Sequence, residues 1–129
     1  MRYTFSRRER LGSRSAIDRL FDQGSMFHVR PFRVIWLPVP EVQVPVQLLV
    51  TVPKSCFKSA VKRNLVKRRI KEAYRQNKDI LNDFCLGSSL HLHVCVLYAS
   101  KEIEPSPVIR EKIILILHRL IKENEKVTQ

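Results

Sequence analysis

The residues of this chain best suited to chemistry lie between Ala60 and Arg75, in the stretch AVKRNLVKRRIKEAYR. Wound as a helix, Val66, Ile70, Ala73, Tyr74 and, further on, Leu81 fall on one side, while Asn64, Lys67, Arg68, Lys71 and Arg75 gather on another. From Lys54 to Lys78 there are ten Lys or Arg and one acid, Glu72, so this segment holds +9 of the formal net charge of +12. Solvated helix faces ordinarily interleave signs, because like charges at i and i+4 destabilise a helix. Lys67, Lys71 and Arg75 instead repeat one sign at that spacing. A partner with regularly spaced negative charge relieves the repulsion, and a nucleic-acid phosphate backbone is that kind of partner. A solvated surface and an anionic membrane are the other readings of the same pattern.

Other reactive side chains suggest less. His91 and His93 alternate ahead of Cys95, a spacing that can set two imidazoles on a metal, but no fourth ligand is evident and no metal site is assigned. Asp18 and Asp22 are an i,i+4 pair; paired carboxylates can do acid–base work, yet on a polar helix face they read as solvated. The only glycines are Gly12, Gly24 and Gly87, so there is no glycine-rich phosphate loop, and no order of Ser, His and acid marks a nucleophile. No catalytic residue is assigned, and a self-sufficient enzyme is not expected. Phe21, Phe27, Phe32, Trp36 and Tyr74 could stack on unpaired bases, but each sits in an apolar periodic context that reads first as core.

The elements that must position the basic helix follow from periodicity. Residues 1–12, with Arg2, Arg7, Arg8 and Arg10 against Glu9, are expected as a mobile basic arm, and 13–129 as a single domain. Ser13 or Ser15 can cap a short helix through Ala16, Ile17, Leu20 and Phe21 that stops at Gly24. Phe32–Leu37 and Val44–Val52 are β-branched or aromatic runs, separated by Pro38, Pro40 and Pro45, and read most simply as two paired strands. Pro53 ends the second strand, Ser59 can cap the basic helix, and that helix should stop between Asn82 and Gly87. Leu90–Tyr98 alternates as a third strand, and Pro107 opens a last helix whose broad apolar face includes Ile109, Ile113, Ile116 and Leu120. This order implies an α/β sandwich in which helices cover a small sheet, with a crossover through the basic helix if the strands flanking it run parallel.

Composition bounds the possibilities. At 129 residues and 44% hydrophobic content the chain can bury the core of one domain. No apolar run is long enough for a membrane span and the start lacks a signal-peptide core, so a cytoplasmic location is expected. Cys56, Cys85 and Cys95 lack the number and spacing of a disulfide framework or a zinc ribbon.

The helix sequence KRNLVKRRIKEAYR resembles the signature helix of the bacterial ribonuclease P protein component, whose motif runs Arg-Asn-Arg-x-x-Arg with adjacent Lys. The resemblance extends to Phe21 and Gly24 as a first-helix Phe-x-x-Gly, to Lys54 at the end of a strand, and to the final strand and helix. It implies a mixed α/β sandwich with a left-handed βαβ crossover. It also implies the protein subunit of a ribonucleoprotein that removes the 5′ leader of precursor tRNA. The RNA subunit and its magnesium ions would carry the chemistry, with no cofactor bound by the protein alone and no obligate protein partner. By that likeness Arg63, Asn64, Lys67 and Arg68 contact the catalytic RNA, Lys62, Lys71 and Arg75 extend the patch, and Lys54 adds a phosphate contact. A cleft between the first helix and the sheet, with Phe21, Arg33 and Ile35, would hold the single-stranded leader. The chain departs from the pattern at Leu65, Ser55 and Ile17, where the family has an Arg, a Lys and an aromatic. Arg69 is the expected substitute for the charge missing at Leu65. A ribosomal or other structured-RNA-binding module of similar fold is the alternative. A DNA-binding regulator fits less well, since base-reading side chains are few and no second helix sits a short turn before the basic one.

Overall fold

The structure, a computed structural model, describes residues 5–40 and 44–128. In chain order the elements are α1 (Arg14–Gln23), β1 (Ser25–Val29), β2 (Phe32–Pro38), β3 (Val46–Thr51), α2 (Ala60–Asn77), α3 (Asp79–Gly87), β4 (Leu92–Tyr98) and α4 (Ser106–Thr128). One mixed sheet runs in the order β1-β2-β4-β3. The β1–β2 and β2–β4 pairs are antiparallel, and β3 lies parallel to β4, so α2 and α3 form the crossover between parallel strands.

Alternation along the strands gives the sheet two different faces. Phe32, Val34, Trp36, Leu48, Val94 and Val96 point to one face and meet the apolar sides of α2 and α4 in the main core. Ile35 and Cys95 point to the other and meet Leu20 of α1 and Leu11 in a smaller cluster, with Ile17 partly buried beside them. Each large side chain so buried contributes about 1.5–3 kcal/mol. The helices begin where serine caps were expected: Ser13 Oγ accepts from Ala16 N at 3.4 Å and Ser59 Oγ from Lys62 N at 3.3 Å.

The strand pairing differs from the sequence expectation. β2 and β3 are not partners, because β4 lies between them. All of β4 except Leu97 is buried, which suits a central position, while the prolines between β2 and β3 disfavour a tight hairpin. β1 was not anticipated: in Ser25–Val29 only Phe27 is buried, too faint a pattern to read as a strand. The basic helix also ends earlier than expected. Asn77 Nδ2 donates to the Ala73 carbonyl at 2.9 Å, and the chain turns at Lys78 before resuming as α3.

Of the segment expected as a mobile arm, residues 1–4 lie outside the described residues, and from Phe5 onward the chain lies against the fold. Leu11 is buried and its N–H donates to the Leu48 carbonyl at 2.9 Å, and Gln47 Nε2 donates to the Arg8 carbonyl at 3.0 Å. The segment thereby covers part of β3, an edge strand whose backbone would otherwise be open.

Gly24 explains its own place in the Phe-x-x-Gly pattern. A Cβ there would lie 2.4 Å from the Leu20 carbonyl oxygen and 2.8 Å from Ile35 Cγ2, so a larger residue would push α1 off β2. At Gly12 a Cβ would meet nothing within 4 Å. Gly24→Ala is therefore expected to lower stability in urea by about 1–3 kcal/mol, whereas Gly12→Ala should stay within about 0.5 kcal/mol of the parent.

Candidate nucleic-acid interface

The orientation of α2 is set by what it buries. Val66, Ile70, Ala73 and Tyr74 are its buried residues, facing the sheet and α4. The opposite side lines an open groove of about 470 Å³ with Asn64, Lys67, Arg68, Lys71, Glu72 and Arg75. The five residues the helical wheel grouped on the polar face are thus brought together. Phe5 and Arg10 form the other wall, which helical spacing could not reveal because they precede α2 by some fifty residues.

Charges in the groove are not equivalent. Burial, with the Arg10 and Lys67 charges adding to it, holds the Lys71 ammonium below its ordinary pKa. Repulsion from Lys67, one of the repeated cations, is thus a smaller contribution than burial. Arg75 is different: its Nε donates to Glu72 Oε2 at 3.0 Å, and this pairing raises the arginine and lowers the carboxyl. Glu72 also accepts from Gln76 Nε2 at 3.0 Å, so the one acid of the groove is engaged within the helix.

Two arginines of the motif region turn elsewhere. Arg63 Nη1 donates to the carbonyls of Phe57 and Lys58, each at 2.9 Å, and braces the loop leading into α2. Arg69 Nη1 donates to the Glu104 carbonyl at 2.8 Å, tying α2 to the segment before α4. Arg69, expected to replace the charge missing at Leu65, is held by that carbonyl and is not among the residues that line the groove. Lys54 and Lys62 are exposed near the start of α2.

On the α1 side of the sheet, Phe21 is 47% exposed and Arg33 is exposed, but Ile35 is only 8% exposed beneath Leu20. Ile35 is buried in the cluster with Leu20 and is not an open contact. Met26, 55% exposed, pairs across from Ile35 and adds an apolar side chain to the same face. The sequence reading missed it along with β1.

His91 and His93 have different surroundings. His91 precedes β4, with Nδ1 3.2 Å from the Val44 carbonyl oxygen, while His93 is buried on the α1 face. Among the described residues no three His, Cys, Asp or Glu come together as a metal-binding group. All three cysteines are free; burial pushes the Cys85 and Cys95 thiols up to about 11. Among the described residues no helix is long and apolar enough to cross a membrane.

A family model described as Ribonuclease P matches residues 5–121, which includes both walls of the groove and all of the sheet. The chain belongs to the ribonuclease P protein family. It is accordingly the protein subunit of an endoribonuclease of tRNA processing, with an RNA subunit as partner. The ribonuclease P protein component of Porphyromonas gingivalis strain W83 is 38% identical over 102 residues, covering 78% of this chain and 74% of that protein. That of Chlorobaculum tepidum is 40% identical over 72 residues, covering 53% of this chain and 47% of its own. Among solved structures, the RNase P protein of Staphylococcus aureus superposes with a TM-score of 0.71 at 20% identity, over 87% of this chain and 94% of that one. The Thermotoga maritima protein gives 0.70 at 24% identity, over 87% and 97%. At these identities the superpositions speak for the fold.

The groove's second wall has its own electrostatic anchor. Glu9 Oε2 accepts from Lys78 Nζ at 2.7 Å, with both side chains largely buried. Burial raises the Glu9 carboxyl, but hydrogen bonds from Lys78 and Ser6 outweigh it and leave the group below its ordinary value of 4.5. A carboxylate depressed on folding contributes stability that is present above its unfolded pKa and is lost as pH falls through the folded one. Stability measured against pH should therefore show an acid-side loss beginning below about pH 4.5 that is reduced in Glu9→Gln. At neutral pH Lys78→Met should cost about 1–3 kcal/mol by leaving Glu9 without its cationic partner.

Proposed function

We propose that this ribonuclease P protein grips its RNA subunit through the polar face of α2 and helps remove the 5′ leader of precursor tRNA. The observation that carries the reading is the groove itself, in which Asn64, Lys67, Arg68 and Lys71 converge while the helix buries its apolar side. Cations held on a rigid helix engage phosphates without a large ordering cost, and an amide such as that of Asn64 can add hydrogen bonds to sugar or base. Arg75, paired with Glu72 along the same groove, adds its charge to the patch. Lys54 and Lys62 extend the positive strip beyond the start of the helix. Arg63 and Arg69 act mainly as braces, through the carbonyls they already hold.

The single-stranded leader is assigned to the sheet face beside α1, where exposed Phe21 and Arg33 offer a ring for base stacking and a cation for phosphate. Ile35 supports that surface from below. Magnesium is assigned to the RNA. The α2 groove is cationic and repels a divalent ion, and the described residues supply no cluster of hard donors. The protein's part is then to hold and align two RNAs so that the RNA-bound metal can act, which is catalysis by positioning.

The test is equilibrium binding of the RNA subunit across a salt series. If Lys54, Lys62, Lys67, Arg68, Lys71 and Arg75 neutralise six phosphates, log affinity falls against log salt with a slope of about −4 to −5. Lys67→Ala or Arg68→Ala should each weaken binding and flatten the slope by about 0.7–0.9. Arg69→Ala should chiefly reduce stability. A flat salt dependence, or an Arg69→Ala slope as shallow as that of Arg68→Ala, would contradict this assignment.

A further inference from the structure

We infer that Arg10 is a phosphate-binding residue, meeting Lys67 and Lys71 from the opposite wall of the groove to cradle one RNA phosphodiester. The inference rests on the reading of α2 as the RNA-binding helix and extends the site to a segment far from it in sequence.

The first support is placement. Arg10 and Phe5 line the same groove as Asn64, Lys67, Arg68 and Lys71. The Arg10 guanidinium sits 5.3 Å from the centroid of the Phe5 ring, and its Nη2 makes a long 3.4 Å contact to the Phe5 carbonyl. This leaves most of its donors for another acceptor. Behind it the chain is held at several points. The Phe5 ring meets Tyr74 edge-on at 5.6 Å, Glu9 pairs with Lys78, and Leu11 is buried and hydrogen-bonded to β3. A guanidinium on a segment held in this way loses little freedom when it takes a ligand.

The second support is how the segment sorts its charges. Within Arg7–Arg10 the only acid, Glu9, is drawn to Lys78, while Arg10 is turned into a groove that already holds Lys67 and Lys71. If Arg10 served only to cover Phe5, an uncharged side chain would do so without the repulsion. That repulsion is felt at Lys71, whose ammonium is held low by burial and then by Arg10 and Lys67. The groove's one acid is engaged by Arg75 and Gln76 and cannot neutralise all three cations. A phosphodiester brings the missing negative charge with two non-bridging oxygens, enough to accept from both walls at once.

The experiment measures binding of the full-length protein, as a function of salt, to the RNA subunit in one arm and to precursor tRNA in the other. The proteins compared are the parent, Arg10→Ala, Arg10→Gln, Arg10→Lys, Lys67→Ala and, as an exposed cation on α4, Lys122→Ala, each checked by thermal melting. Arg10→Ala and Arg10→Gln are expected to bind about tenfold more weakly in at least one arm, with the salt slope smaller by about 0.7–0.9. Arg10→Lys should recover the slope, Lys122→Ala should match the parent, and the arm that weakens tells whose phosphate is held. The inference is overturned if Arg10→Ala and Arg10→Gln match the parent in both arms while Lys67→Ala weakens; the α2 reading then stands alone. Weaker binding with an unchanged slope would also overturn it, since Arg10 would then act through packing. If Lys67→Ala has no effect either, the reading of α2 falls with it.

Discussion

The constraint on which the rest depends is the rotational setting of α2. Its apolar side is locked between the sheet and α4 by Val66, Ile70, Ala73 and Tyr74. Burying such side chains contributes about 1.5–3 kcal/mol for each of the larger ones, against like-charge repulsions on the far side of about 0.2–0.5 kcal/mol per pair. The core therefore decides which way the helix faces, and the cations must tolerate the crowding that results. The same packing holds Asn64, Lys67, Arg68 and Lys71 on one line and makes a groove of them.

The N-terminal segment matters for the same reason. β3 would be an open edge, and the chain from Phe5 to Leu11 covers part of it while supplying the second groove wall. The Glu9–Lys78 pair, the Phe5–Tyr74 contact and buried Leu11 hold this wall in place. On the other face of the sheet, Gly24 lets α1 end closely against β2, where a Cβ would meet Ile35 and the Trp36 carbonyl.

Local pattern made the helices legible. Period and capping residues located α1, α2 and α4, because each buries a regular stripe and begins at a serine or beside a proline. Strand order was not legible: β2 and β3 look like partners in sequence, and only the completed sheet reveals β4 as the strand buried on both faces. In the candidate site, the wheel grouped the groove residues of α2 correctly. Arg63, suggested by the family resemblance, and Arg69 lay outside that grouping, and their bonds to distant carbonyls could not be read from spacing, since a long side chain can reach well off its own face. The wheel also had no means of finding Phe5 and Arg10. Their place beside α2 arises from tertiary packing, which an arginine-rich start does not announce.

If α2 makes this chain an active partner of a catalytic RNA, single-turnover cleavage of a leader-bearing precursor tRNA by the cognate RNA subunit at low magnesium should depend on it. The reaction is run without protein, with the parent protein and with a Lys67→Ala/Arg68→Ala variant. The account predicts that the parent accelerates cleavage at the mature 5′ end, that the folded double variant loses most of that acceleration, and that the protein alone cleaves nothing. Equal acceleration by parent and variant would contradict the role given to α2, and no acceleration by either would leave a binding module for structured RNA.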